Sequence, residues 1–395
     1  MSEANKNRKV NWLTTLYLFI SPVVAAIGIY FWVKSGSFNW PTMILTLIFM
    51  TFIQVSITAG YHRLFSHRTF NAKWPVRLFF LVFGAAAFEG AALTWSLDHR
   101  IHHNHVDDNE KDPYSIGKGF FWAHMGWLFF KHDEDLTEDD VQRGGDLFND
   151  PLVVWQYKNW LPVGAFAGFA LPALIALFWG DFWGGLLVAG ITRSIVNHHS
   201  TFLINSLSHC MGRQTYSDSH SARDNLFTAI LTFGEGYHNY HHEFPSDYRN
   251  GVRAWDWDPS KWIIKGLSLV GLASDLKKIP DEIILRKKMQ MKEKRMHAKL
   301  SKTGLNFFGS THEHILEGLK AKYEKAYKTL SNLRLELKQS QKEKKESNYK
   351  YDKSFISLEA NVLHDKISQA QREFRKYIRE WNSMRRRVLA YAKAY

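Results

Sequence analysis

The sequence predicts an all-α integral membrane protein with four transmembrane helices, a helical cytoplasmic cap that carries a histidine-rich dinuclear metal site, and a basic helical extension at the C-terminus. Three observations lead to this fold class. Long apolar runs without charged residues occur in the first half of the 395-residue chain, histidines cluster near the ends of these runs, and the excess positive charge lies near the C-terminus.

The net charge of +13 is unevenly distributed along the chain. Residues 281–395 contain 28 Lys and Arg against 14 Asp and Glu, whereas the first 280 residues contain 23 basic and 24 acidic residues. We therefore expect a membrane-embedded domain over residues 1–276 and a basic helical extension over residues 277–395. Nucleic-acid binding is not predicted, because the basic residues belong to a chain that is held at the bilayer. The single cysteine, Cys210, excludes an intramolecular disulfide framework.

Four segments are predicted to cross the membrane, because about 20 consecutive apolar residues span the bilayer core as a helix. The predicted spans lie near residues 12–33, 41–61, 160–180 and 182–204. The first three contain no charged residue, whereas the fourth contains Arg193. The N-terminal run is too long for a cleaved signal peptide and has no clear small-residue cleavage site.

The positions of basic residues predict that both termini are cytoplasmic. Lys6, Arg8 and Lys9 precede the first span, and four further basic residues follow the second span, whereas the turn between the third and fourth spans has none. Residues 78–97 are also apolar enough to cross, apart from Glu89. We expect this segment to stay on the cytoplasmic side, because a crossing would separate the histidine clusters described next.

Histidines and one asparagine form four clusters with helical spacing. The pattern H-x-x-H-H occurs twice and places three imidazoles on one helix face, and N-x-x-x-H does the same for two side chains. These ten side chains provide about five ligands for each of two metal ions: His62, His67, His99, His102, His103, Asn205, His209, His238, His241 and His242. Neutral imidazole binds Zn, Cu, Fe and Ni, so the ligand type does not identify the metal.

His62 and His67 are five residues apart, which is roughly 140° around a regular α-helix. They therefore either bind two different metals or lie where the helix is distorted. Histidines outside the clusters are expected to be ordinary hydrogen-bonded residues: His124, His132, His198, His199 and His220. His105 lies two residues beyond the second cluster, off its helical face.

The motifs around these clusters resemble those of integral-membrane fatty acid desaturases. HRLFSH, HRIHH and HNYHH match the three histidine boxes of that family. The longer stretches GYHRLFSHRTF, WSLDHRIHHNHVDD, KDPYS, FWAHMGW, NSLSH and GEGYHNYHHEFPSDYRNG are similar to the Δ9 acyl-CoA (stearoyl-CoA type) branch. The resemblance covers roughly residues 12–276.

The resemblance implies an O₂-dependent non-haem di-iron enzyme that introduces a cis double bond into a long saturated acyl chain. It implies that the nine clustered histidines ligate the two irons and that Asn205 completes the set through a water. Trp95 and Thr201 match positions that line the bend of the acyl tunnel in the family. Arg100 has a position that suits the anionic head group of an activated acyl substrate.

Several further expectations follow from the resemblance. The chain has no haem- or flavin-binding motif, so a ferredoxin or cytochrome b5-like electron donor with an NAD(P)H reductase is implied. The protein is expected in the bacterial inner membrane or the endoplasmic reticulum, with its metal site in the cytoplasm. A related di-iron acyl or alkane hydroxylase is the enzymatic alternative, and a histidine-rich metal transporter or sensor is the non-enzymatic one.

The C-terminal extension has no motif that identifies its role. Charged helical patterns over residues 281–300 and 311–395 are separated by a break at residues 304–310. The leucines keep no clean heptad repeat, so a continuous coiled coil is not indicated. A solvated helical hairpin, a contact to anionic lipid and a docking surface for an acidic electron donor remain alternatives.

Overall fold

The computed structural model describes residues 9–130, 142–302, 311–346 and 353–394. The chain divides into two compact units, Met1–Ile279 and Pro280–Tyr395. Lys6, Arg8, His132 and the predicted break at residues 304–310 lie outside the described residues.

The first unit is built almost entirely from helices. In chain order they are α1 (Trp12–Lys34), α2 (Trp40–Val55, continued by a π-helix over Ser56–Ser66), α3 (Trp74–Ala85), α4 (Ala92–Asn104), α5 (Phe120–His124), α6 (Gly145–Phe148), α7 (Pro151–Ala165, with a π-helical turn over Phe166–Ala170), α8 (Leu171–Ala176), α9 (Phe182–Gly184, with a π-helix over Gly185–Thr192), α10 (Arg193–Cys210), α11 (Leu226–Leu231), α12 (His238–Glu243) and α13 (Pro259–Leu269). Short 3₁₀ turns cover Ile116–Lys118, Gly126–Phe129 and Leu177–Trp179. Strands β1 (Asn71–Ala72) and β2 (Ala273–Ser274) pair antiparallel.

Three described helices are long and apolar enough to cross a membrane: Trp12–Lys34, Trp40–Ser66 and Pro151–Trp179. They coincide with the first three predicted spans. The predicted fourth span lies in a continuous helical stretch over residues 182–210, but its second half is rich in Asn, His and Ser. A fourth crossing therefore stays a prediction.

Asp181 lies in the turn that precedes α9 and ties this turn to helices α1 and α2. Its carboxylate accepts hydrogen bonds from the indole of Trp32 at 2.9 Å and from the amide of Asn39 at 2.9 Å, and it also accepts from the hydroxyl of Thr42. Asp181 also caps its own helix through the N–H of Gly184. One buried carboxylate thus fixes the α1–α2 turn against the turn before α9.

Residues 78–97 do not form one helix. Helices α3 and α4 have 12 and 13 residues, each shorter than the about 20 that span a bilayer core. The link between them contains Phe88 and Gly90, both with positive φ. Arg193, which is buried, donates to the carbonyls of Ala86 and Gly168. The first bond satisfies a carbonyl at the end of α3, next to the break, and the second ties Arg193 to the π-helical turn after α7.

The π-helix over Ser56–Ser66 resolves the unusual spacing of the first histidine pair. A π-helix has i→i+5 hydrogen bonds, so residues five apart lie one turn above each other. The backbone N–H of His67 donates to the carbonyl of His62 at 3.1 Å. Of the two alternatives left open by the sequence, the structure shows the distorted helix.

The second unit contains three long helices: α14 (Asp281–Leu300), α15 (Thr311–Glu346) and α16 (Lys353–Ala394). Its core is formed by Met289, Met296, Tyr323, Phe374 and Trp381, all at most 1% exposed. Helix α15 packs along α16. The basic residues of the extension therefore lie on the outside of a helical unit with an apolar core of its own.

Candidate metal centre

The nine clustered histidines converge into two adjacent groups. The five-histidine group consists of His62, His67, His99, His103 and His241, and the four-histidine group consists of His102, His209, His238 and His242. Within each group one ligand atom per residue lies within 4.8 Å of all the others. Each H-x-x-H-H motif contributes to both groups, with its i and i+4 histidines in one group and its i+3 histidine in the other.

The facing atoms are Nε2 nitrogens at ligand–ligand distances. His62 and His241 are 2.9 Å apart at Nε2, as are His67 and His99. In the other group the Nε2 atoms of His209 and His238 are 3.0 Å apart. Two nitrogens that each lie about 2.1 Å from one ion, at right angles, are about 3 Å apart. The arrangement therefore fits a metal in each group.

The Nδ1 atom of His62 is held by a buried carboxylate. Glu235 contacts it at 2.7 Å and is itself held by Arg63 at 2.8 Å and by the amide of Asn250 at 2.6 Å. Burial raises the pKa of Glu235, but Arg63 and His62 outweigh burial and lower it below its ordinary value. An ionised Glu235 accepts the Nδ1 proton of His62 and leaves the Nε2 lone pair free for a metal.

Two further histidines are oriented through Nδ1 in the four-histidine group. Asp112 contacts Nδ1 of His102 at 2.9 Å. The hydroxyl of Ser221 lies 2.7 Å from Nδ1 of His209 and donates to Asp107. Glu235 thus contacts an imidazole directly, whereas Asp107 acts through Ser221. Asp108 caps a turn through the N–H groups of Glu110 and Lys111.

Sequence reasoning missed Asp112 and Ser221. Neither lies within a histidine box, and both are brought in by turns whose course depends on tertiary packing. The signal for Asp112 is the stretch KDPYS, which resembles the family but was given no role at the metal site. Asp112 is 1% exposed, and its carboxylate also accepts the backbone N–H of Tyr114.

Burial favours the neutral form of seven of the clustered imidazoles. The pKa of each of these seven is lowered well below the ordinary 6.5, first by burial and second by neighbouring histidines: His67, His99, His103, His209, His238, His241 and His242. Neutral imidazole is the form that ligates metals.

The stretch GEGYHNYHHE reaches the site through two glycines. Gly234 has φ +108, and a Cβ on Gly236 would lie 2.1 Å from the backbone nitrogen of Ala229. Helix α12 follows and ends at Glu243, two residues before Pro245.

An apolar cavity of about 570 Å³ ends at the metal groups. His62, His99, His102 and His238 form part of its wall, and Asn205 lines it beside them. Residues of the first, second and fourth predicted spans line it, among them Tyr17, Ile57 and His198. The third contributes as well, through Trp160, Leu161, Ala165 and Phe169.

Trp95 and Thr201 line this cavity, whereas Arg100 is not among its lining residues. The indole of Trp95 stacks on His99 with ring centroids 5.1 Å apart, and its N–H donates to Glu89 at 3.2 Å. Burial raises the pKa of Glu89 to about 7. The guanidinium of Arg100 donates to Asp146 and to the carbonyls of Phe65, Ser66 and Arg143. An anionic head group at Arg100 would have to compete with Asp146.

The isolated histidines differ in their contacts. His198 contacts the carbonyl of Ala87 at 2.6 Å, and His124 contacts Ser206 and His199. His105 ends α4, and the structure leaves it out of both groups. His220 departs from expectation, because its ring nitrogens find no hydrogen-bond partner among the described residues. Its ring lies 5.2 Å from that of His242.

Comparison with known proteins gives a consistent family match. The model of the "Fatty acid desaturase" family matches residues 38–258. A protein of Schizosaccharomyces pombe named "Probable acyl-CoA desaturase" is 42% identical over 74% of this chain and 61% of its own length. An "Acyl-CoA Delta(11) desaturase" of Trichoplusia ni is 35% identical over 70% of this chain and 80% of its own. A "Delta(9)-fatty-acid desaturase" of Caenorhabditis elegans is also 35% identical, over 70% and 82%. The chain thus spans about three fifths of the first of these relatives.

Proposed function

We propose that this chain, which belongs to the fatty acid desaturase family, catalyses the O₂-dependent desaturation of a long-chain saturated acyl group at two non-haem irons. We further propose acyl-CoA as the substrate and a cis double bond at Δ9. The position rests on the resemblance of the motifs, because the relatives carry both Delta(9) and Delta(11) in their names.

The observation that carries this proposal is the junction of the apolar cavity with the two histidine groups. A cavity of about 570 Å³ is in the range of ligand-binding pockets, and its apolar wall suits a hydrocarbon chain. Because His62, His99, His102 and His238 form part of that wall, a bound chain would pass next to both groups. A metal transporter would instead need ligands along a path through the spans.

The imidazole nitrogens suit iron, and the proposed desaturation requires it. The C–H bonds of an alkyl chain have no acidic proton, so acid–base catalysis alone cannot break them. Two bound irons would supply the oxidising power to remove two hydrogens from adjacent methylenes, with O₂ reduced to water by those hydrogens and two further electrons and protons. The ligands would be the nine histidines, with Asn205 beside the four-histidine group.

The residues of this chain position the reactants. Glu235, Asp112 and Ser221 fix the rings of His62, His102 and His209 through Nδ1, so that each Nε2 faces its group. Trp95 stacks on His99 in the cavity wall, and its indole N–H donates to Glu89. The shape of the cavity around Trp95 and Thr201 would decide which methylenes lie beside the metals.

Three further parts of the proposal rest on the sequence. Electrons would come from a ferredoxin or cytochrome b5-like protein with an NAD(P)H reductase. The chain would cross the membrane four times, with its termini and metal centre in the cytoplasm. The break between α3 and α4 supports this topology, because it keeps His62 and His99 on one side.

Expression in a desaturase-deficient host tests the proposal. The wild-type chain, with a matched electron donor, should produce a new monounsaturated fatty acid whose double bond is located by mass spectrometry. A His241→Ala variant at equal expression is the inactive control. A hydroxylated acid as the main product would favour the hydroxylase alternative, and no oxidised product from iron-loaded protein would contradict both.

A further inference from the structure

The second unit contains a recess lined by four basic side chains and one amide. It has a volume of about 400 Å³, and its wall consists of Lys292, Arg379, Asn382, Arg385 and Arg386. Arg379, Asn382 and Arg386 follow i, i+3 and i+7 on α16, so they share one helix face, and Lys292 comes from α14. The recess therefore joins two helices that are distant in sequence.

Asn382 fixes the ammonium group of Lys292. Its carbonyl oxygen accepts from Nζ of Lys292 at 2.8 Å. Its NH₂ group donates to the carbonyl of Ile378 at 2.8 Å and to the sulfur of Met289 at 3.3 Å. Because the amide is tied to the backbone and to the core, Lys292 is held in the recess, and Asn382 is the acceptor of one of its three N–H donors among the described residues.

The positive charge of the recess has no carboxylate partner in the described part of this unit. Three other cations of the unit do pair with carboxylates: Arg286 with Glu324, Lys320 with Glu293 and Arg334 with Glu282. Burial lowers the pKa of Lys292, and Arg385 and other neighbouring cations lower it further. The Nε atom of Arg385 is buried and has no hydrogen-bond acceptor among the residues described.

We propose that this recess is a binding site for a phosphate group, presented either by a lipid head group or by a soluble phosphate compound. Guanidinium groups bind phosphate oxygens in pairs, and an ammonium adds a point charge. A phosphate would satisfy the buried Nε of Arg385 and offset the repulsion among four cations. A site with an inward-facing, anchored lysine differs from a solvated basic helix face, which binds anions only weakly.

Protection of Lys292 from chemical labelling tests this site in the full-length protein in detergent. Limited reaction with an amine-specific reagent is quantified by mass spectrometry, with exposed Lys322 as the internal reference. Inorganic phosphate and phosphatidate in mixed micelles are added separately, and sodium chloride at matched ionic strength is the control. We expect one or both phosphate probes to reduce labelling of Lys292, and not of Lys322, by at least about tenfold.

Matched variants distinguish a specific phosphate site from a general effect of positive charge. Protection should be lost in Arg385→Gln/Arg386→Gln and kept in Arg372→Gln/Lys376→Gln, which removes the same charge from exposed positions of the same helix. If the first variant loses helicity, Arg379→Gln, an exposed position, replaces it. Protection by phosphatidate alone assigns a lipid ligand, and protection by inorganic phosphate assigns a soluble one. Equal protection by sodium chloride, or protection that survives the recess variants, would overturn the proposal.

Discussion

The two histidine groups are built from the same motifs but are not equivalent. The five-histidine group draws on three segments of the chain and is held by the buried Glu235–Arg63 pair. The four-histidine group has one imidazole fewer, and Asn205, which lines the cavity, lies one helical turn before its His209 on α10. The difference teaches that a metal bound by the second group would have fewer nitrogen ligands, so we expect that metal to be more easily lost and more open to small ligands.

Removal of one imidazole from each group should give the largest effect. His241→Ala leaves four histidines in its group, whereas His242→Ala leaves three. Both variants should lose activity by at least about 100-fold, but His242→Ala should retain close to one iron per chain and His241→Ala more. Iron content measured by mass spectrometry on purified protein checks this order. Two irons retained in His242→Ala would remove the proposed asymmetry.

Loss of the carboxylates behind the ligands should give the next largest effect. Glu235→Gln and Asp112→Asn should each weaken metal binding about 10- to 100-fold in their own group. Glu235→Gln also leaves buried Arg63 with Asp258 as its remaining acidic partner, so it should lower the free energy of unfolding by about 3 kcal/mol. Iron release to a chelator and thermal unfolding measure the two effects.

Asp112→Asn serves as the comparison variant for stability, because Asp112 pairs with no arginine in the described structure. Equal destabilisation by both variants would show that the Arg63 pair does not distinguish the groups.

Acidification should destabilise the metal-free protein, and it should release the metals from the metal-loaded protein. Seven histidines have a pKa well below 6.5 in the folded state, so below about pH 6.5 the unfolded chain binds more protons than the folded one. The stability is fully present above that pH and falls as the pH drops. Thermal unfolding from pH 8 to pH 5, with and without iron, checks the sign. A flat profile in the metal-free protein would show that the histidines are not buried neutral.

Asn205→Ala should give the smallest effect, restricted to the four-histidine group. We expect up to about tenfold weaker retention of one iron, since an amide is a poorer ligand than imidazole. Asn205→Asp, which keeps an oxygen at the same place, is the matched control and should retain the metal. Loss of iron from both groups in Asn205→Ala would argue for a general disturbance of α10 instead.

The sequence predicted which nine histidines come together better than it predicted their division into two groups. Spacing on a helix is local, so His99, His102 and His103 could be placed on one face before any tertiary contact was known. Their assignment to two groups depends on how α4 and α12 cross, which no local pattern contains. The same holds for Asp112 and Ser221, which reach the site through turns whose course is decided by packing.

Two features of the fold show the same limit. Glu89 indicated that residues 78–97 do not cross, but the break at Phe88 and Gly90 depends on Arg193 more than 100 residues later. No sequence feature indicated that Trp160 and Phe169 line the cavity, because an apolar span has the same composition whether it faces lipid or ligand.

The π-helix before His67 makes the length of this segment as important as its composition. Deletion of one residue between His62 and His67 would remove no ligand, yet the remaining four-residue step would demand α-helical winding. Rewinding the segment would shift Gly60, where a Cβ would already lie 2.7 Å from Phe80. Homologous chains should therefore have substitutions, but no change in number, among the four residues between these histidines. An insertion or deletion there should mark a protein that has lost the metal centre.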